Sequence, residues 1–128
     1  MSSPRAGDTI DRVQSVAFAL PVLPGQTDAD RIALASCAVG ERKEAFQDAR
    51  RRAGIAREAV WIQTARSGDV AVVYLEADNL AAALTMLGTS AAPFDRWFRD
   101  HVRRVHGVAL QQMFNQPELV LDFDVNRI

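Results

Sequence analysis

The chain is poor in cysteine, in long apolar runs and in any excess of one charge. Its single cysteine, Cys37, excludes an intrachain disulfide and a multi-cysteine metal site. With no activating neighbour in view, Cys37 reads as a small buried hydrophobe. No apolar stretch reaches the ~18 residues of a membrane span, and no cationic-then-apolar leader opens the sequence. The expectation is a protein of the reducing cytoplasm with no membrane partner. The 15 basic and 16 acidic residues nearly cancel, and the basic ones, almost all Arg, are scattered. A nucleic-acid binder gathers its positive charge on one face, so no such partner is expected. The one local excess is Arg50-Arg51-Arg52, with Arg42 and Lys43 nearby. Three consecutive residues point in three directions around a helix and read as a solvated C-terminal end favoured by the helix dipole. Glycine-rich dinucleotide or phosphate loops and a nucleophile elbow are also missing, leaving NAD, ATP and acyl-serine chemistry without support. The preference for Arg over Lys, with many Ala, is the composition of a GC-rich bacterial genome.

What is present fits one globular domain of 128 residues, able to bury a modest core. A domain of this size leaves much of its surface exposed, so an uncovered apolar sheet face would need a partner. Residues 1–10 are small and polar and read as a flexible N-terminus, with a single domain over 11–128. "RVQSVAFALPV" reads as a first strand, with bulky Val16, Phe18 and Leu20 alternating with small Ser15, Ala17 and Ala19. Pro24-Gly25 closes it, and Thr27 is a candidate N-cap with Asp30 three residues on. A helical stretch over about 28–53 is broken near Gly40 and capped by Gly54. Two strands follow at about 58–66 and 69–77; Asp78 can cap a helix that stops at Gly88. Pro93 suits the first turn of a further helix ending at Gly107, and a looser segment leads to a last strand, "ELVLDFD".

The order is β, α, β, β, α, β with split helices. It predicts an α+β protein, a ferredoxin-like sandwich of an antiparallel sheet with helices on one face. The other face is then open to a second copy. If Ser67-Gly68 form a two-residue turn, Gln63 pairs with Val72, Trp61 with Tyr74 and Ala59 with Glu76. Trp61, Gln63, Tyr74 and Glu76 then share the open face, while Val60, Ile62, Ala71, Val73 and Leu75 face the helices. Aromatic walls, a small-residue floor and few polar groups suit a ligand cavity. The same rings equally suit a dry dimer contact.

The segments "VQSVAFALPVLPG", "RRRAGIAREAVWIQ", "VAVVYLEAD" and "PFDRWFRDHVRRVHGV" resemble a little-characterised family of small bacterial proteins of the dimeric α/β-barrel superfamily, over about 13–108. The resemblance implies that two ferredoxin-like subunits press their open sheet faces together as a homodimer and enclose cavities. The superfamily includes cofactor-independent antibiotic-biosynthesis monooxygenases, haem-handling enzymes, small cyclases and ligand-sensing domains, so fold does not decide function. The Asn, Trp and Arg constellation of the monooxygenases has no counterpart in this sequence.

Within that frame Glu76 is the first candidate general base, since burial in a closed cavity would raise its pKa towards the working range. Tyr74 and Gln63 could polarise a developing oxyanion, and Trp61 could stack on a planar ligand. On the last long helix Phe94, Trp97, Phe98, Val102 and Val105 form an apolar stripe with His101 near its centre. His101 is either a core histidine with one satisfied hydrogen bond or, with Trp97, a wall of the pocket. His106 is either a dipole-stabilised helix end or a second candidate base. The two histidines are about 140° apart around a helix and no ligand set joins them, so no metal is expected. No cofactor is expected either, although haem stays open because one His suffices to ligate it. The functional expectation is a small-molecule-handling protein of secondary metabolism, a cofactor-independent monooxygenase or cyclase that abstracts a proton from a hydrophobic aromatic or polyketide-like metabolite. The alternative is a non-catalytic ligand-binding or dimerisation module.

Overall fold

The computed structural model describes residues 13–110 and 117–127. The expected flexible N-terminus, residues 1–10, and the middle of the looser segment after Gly107 lie outside the described residues. Three strands, β1 (Gln14–Pro21), β2 (Ile55–Gln63) and β3 (Val70–Ala77), form an antiparallel sheet in the order β1-β3-β2. Four helices accompany it: α1 (Thr27–Ser36), α2 (Gly40–Ala53), α3 (Leu80–Thr89) and α4 (Pro93–His106). The architecture is thus α+β, and β1 and β2 run the same way on either side of β3. Among the described residues no helix is long and apolar enough to cross a membrane.

Alternation along the strands decides which face is covered. Val16, Phe18 and Leu20 on β1 pair with Leu75, Val73 and Ala71 on β3 and turn towards the helices. Against them pack Leu80, Ala83, Leu84 and Leu87 of α3 and Val102 of α4. Each leucine or valine among them, taken fully from water, contributes about 1.5–3 kcal/mol. A second cluster of Cys37, Ala49 and Phe94 joins α1, α2 and α4, with Phe46, Trp97 and Phe98 beside it. Cys37 is buried as expected.

The helix ends follow local chemistry, with two corrections. Gly54 and Gly107 take left-handed backbone at the C-termini of α2 and α4, and Pro93 opens α4. Thr27, expected as an N-cap, is the first residue of α1, and its hydroxyl donates to Asp69 Oδ2 at 2.6 Å. Asn79, not Asp78, caps α3: its Oδ1 accepts from Ala82 N at 3.0 Å.

Two larger expectations are corrected. The hairpin register is two residues away from the one a Ser67-Gly68 turn would set: Gln63 pairs with Val70, Trp61 with Val72, Ala59 with Tyr74 and Arg57 with Glu76. Asp69 explains the shift. Its carboxylate holds Thr27 and its carbonyl accepts from Val22 N at 2.9 Å, which keeps it out of a ladder pair with Arg66. Because the shift is two residues, every side chain keeps the face expected of it. The last strand is not found. Residues 117–124 pair with no strand among the described residues, and Leu119, Val120, Leu121 and Phe123 are all exposed, Leu121 at 83%.

Candidate functional site

The residues singled out in the sequence fall on opposite sides of the sheet. Trp61, Gln63, Tyr74 and Glu76 share the open face, with Ser15 opposite Glu76 and Ala17 opposite Tyr74. Trp61 is 55% exposed, and none of the four lines the cavity or the cleft on the helix side of the sheet. Tyr74 and Glu76, two apart on β3, are bonded to each other, the phenol donating to Glu76 Oε2. That bond, with smaller contributions from burial and the Glu76 charge, raises the Tyr74 pKa above the usual phenol value, because it favours the neutral phenol.

His101, His106 and Trp97 lie on the helix side, where the sheet and helices leave a cavity of about 50 Å³. That is several times the ~10–15 Å³ one water requires. Its walls are mostly apolar, including Val60, Val73, Leu75 and Phe98, and both histidines reach it. A wider cleft of about 520 Å³, lined by Cys37, Lys43, Phe46 and Gln47 among others, shares Leu34, Glu58 and Val60 with it. The shared residues place the cleft beside the cavity, with Leu34, Glu58 and Val60 between them.

A buried histidine–aspartate hydrogen bond and a buried arginine–glutamate ion pair give this apolar space its chemistry. Helical spacing puts Asp30 and Leu34 on one side of α1 and His101 beside the buried stripe of α4. His101 Nε2 donates to Asp30 Oδ1 at 2.8 Å. Trp97 stacks on the His101 ring with centroids 5.8 Å apart and 12° between planes, and the Arg42 guanidinium lies 4.1 Å over Trp97. Trp97 therefore orients His101 and does not itself line the cavity. His106, the last residue of α4, donates from Nδ1 to Pro21 O at 2.8 Å, which fixes its tautomer.

The second pair corrects the reading of the arginine run. Arg50 is only 5% exposed, and its Nε and Nη2 meet Glu58 Oε1 and Oε2 at 2.6 and 3.3 Å. Its guanidinium lies 4.9 Å from the Phe46 ring, one helical turn back, and 4.6 Å from Phe98. Arg51 is exposed, and Arg52 bonds Asp48 and Asp95. Two atoms of the constellation have no partner: Asp30 Oδ2 and Arg50 Nη1. Among the described residues no three of His, Cys, Asp and Glu gather as a metal would require.

Asp30, Arg50 and Glu58 are the residues the sequence reading missed. A signal existed for two of them. Arg50 stands four residues after Phe46, and Glu58 two before Val60, so each shares a face with a core residue.

The fold and site define a small α+β protein with a mostly apolar cavity between sheet and helices. No family model matches the chain, and no curated protein or solved structure matches it.

Proposed function

We propose that the protein binds a small, largely apolar molecule between its sheet and helices and acts on it by proton transfer without a cofactor. The observation that carries this reading is the pair of unpartnered atoms, Asp30 Oδ2 and Arg50 Nη1, on buried side chains in an otherwise apolar cavity. A buried polar atom left without a partner costs roughly 1–3 kcal/mol, so such atoms are kept where something other than the protein satisfies them. In this proposal Asp30 Oδ2 takes a proton from the bound molecule, His101 steadies the carboxylate through Oδ1, and Arg50 Nη1 donates to the oxyanion that forms. His106 remains a candidate second base at the cavity wall. Proton abstraction is the first step shared by cofactor-independent oxygenation and by cyclisation, the two reactions the family resemblance suggests.

The proposal includes a ferredoxin-like arrangement completed in a homodimer. In that arrangement a fourth strand lies along the outer edge of β1, and residues 118–124 carry the alternation for it. Trp61, Tyr74, Gln63 and Glu76 would then belong to the contact between copies. The exposure of Trp61 and of Leu119–Phe123 favours that contact and also supports the second reading, a non-catalytic binding or dimerisation module.

Native mass spectrometry of the purified protein tests both parts together. The expected result is a dimer whose mass exceeds twice the chain by a small molecule released on denaturation, with a Val60→Trp variant carrying none. A monomer that retains nothing, and takes up nothing from a cell extract, contradicts the proposal.

A further inference from the structure

We infer that the wider cleft beside the cavity is a separate binding site, one that takes an amphipathic carboxylate with its head on Lys43 and Gln47. The cleft measures about 520 Å³, within the roughly 300–1,000 Å³ of small-molecule sites. Lys43 lines it and is the only lysine of the chain. Its ammonium forms no ion pair among the described residues. The neighbouring Arg42 is engaged by contrast: its Nη1 donates to Ser36 Oγ at 3.0 Å and its guanidinium covers Trp97.

Helical spacing brings the two head contacts together. Lys43 and Gln47 stand four apart on α2, which puts their Cβ atoms ~5–6 Å apart on one side of the helix, and both side chains line the cleft. One carboxylate can accept from the ammonium and from the amide N–H at once. Phe46 of the same helix, Leu34 and Cys37 of α1 and Val60 of β2 seat an apolar body. Charge sets the sign of the ligand. Glu58 is the one carboxylate among the lining residues, and Arg50 already holds both of its oxygens. A cationic head would therefore meet Lys43 with no free acid to offset it. Val60 faces the helices and its neighbour Trp61 the open face, so a second copy docked on that face leaves the cleft clear.

The test is isothermal titration calorimetry of the full chain at low salt with phenylbutyrate and phenylbutanol, which share a body and differ in charge. The acid is expected to bind about fivefold more tightly than the alcohol, the scale of one partly exposed ion pair. Added salt should weaken the acid and spare the alcohol. Lys43→Gln should bring the acid down to the alcohol, whereas Arg51→Gln, which removes an equal charge outside this cleft, should not. Reductive methylation with an isotope label keeps the lysine charge and gives one side-chain NMR signal besides the amino terminus, because Lys43 has no rival. That signal should shift with the acid. Equal binding of acid and alcohol, or no binding of either, would overturn the inference. So would an acid preference that leaves the Lys43 signal still, or one that Arg51→Gln abolishes as fully as Lys43→Gln. The comparison of acid with alcohol needs no variant and decides if either variant fails to fold. Each of these outcomes leaves the proton-transfer proposal, which concerns the inner cavity, where it stands.

Discussion

His101 and Asp30, 71 positions apart in sequence, meet at 2.8 Å and join α4 to α1 beside the cavity. Removing either one strands the other in a buried place. His101→Ala should cost about 3–5 kcal/mol, because it leaves the carboxylate without its partner, and Asp30→Ala about 1–3 kcal/mol. The double variant should lose clearly less than the sum. Denaturant unfolding of all four proteins measures this, and additivity within ~0.5 kcal/mol would mean the two side chains do not act as a pair.

The arginine run provides an internal comparison. Arg50→Lys keeps the charge but loses the fork on Glu58 and the planar stack on Phe46 and Phe98, and should destabilise by about 1–3 kcal/mol. Arg51→Lys, on an exposed neighbour, should stay within ~0.5 kcal/mol. Equal thermal shifts for the two would return Arg50 to the solvated helix end that the sequence suggested.

That comparison also shows where sequence legibility stops. Strand alternation and glycine or proline helix ends were readable because they depend on residues within a few positions of each other. The parity of Trp61, Tyr74 and Glu76 was readable for the same reason. The hairpin register was not, since Asp69 is held by Thr27 and Val22, far away in sequence. Neither was the site: Asp30 resembled a capping residue and Arg50 a surface charge until α1, α2 and α4 closed around them. The strand expected over "ELVLDFD" had the right alternation, but alternation does not supply a partner.

Tyr74 is the only tyrosine, so its ionisation can be followed by ultraviolet absorbance alone. Its hydrogen bond to Glu76 raises the folded pKa above the unfolded value. The resulting stabilisation is fully present below the unfolded phenol pKa and is lost as pH rises through the folded one. Glu76→Ala should move the titration to lower pH; an unmoved midpoint would mean the bond is not formed in solution.

Cys37 should be a slow thiol. Burial raises its pKa, with Arg50 and Arg42 opposing more weakly, so little thiolate forms at neutral pH. Maleimide labelling should be much slower in the native protein than in denaturant. Fast native labelling would mean that the cleft beside Cys37 is more open than its packing against Ala49 and Phe94 allows.

Gly107 and Gly54 both end helices with positive φ, at 74° and 77°. A Cβ at Gly107 would also meet Leu23 at 3.2 Å, whereas one at Gly54 would meet nothing within 4 Å. Gly54→Ala should cost about 1 kcal/mol from backbone conformation alone, and Gly107→Ala more. The opposite order in thermal unfolding would contradict the seating of Leu23 under the end of α4.

The central claim is that the binding site lies between sheet and helices and not on the open sheet face, and methyl NMR of valine-labelled protein titrated with xenon, a probe small enough for the cavity, tests it most directly. Val60 and Val73 line the cavity, while Val72 stands with Trp61 on the other side of the same sheet. The account predicts that the Val60 and Val73 methyl signals move on titration and those of Val72 do not. Movement of Val72 with Val60 and Val73 still would contradict it, and would return the site to the face of Trp61, Gln63, Tyr74 and Glu76.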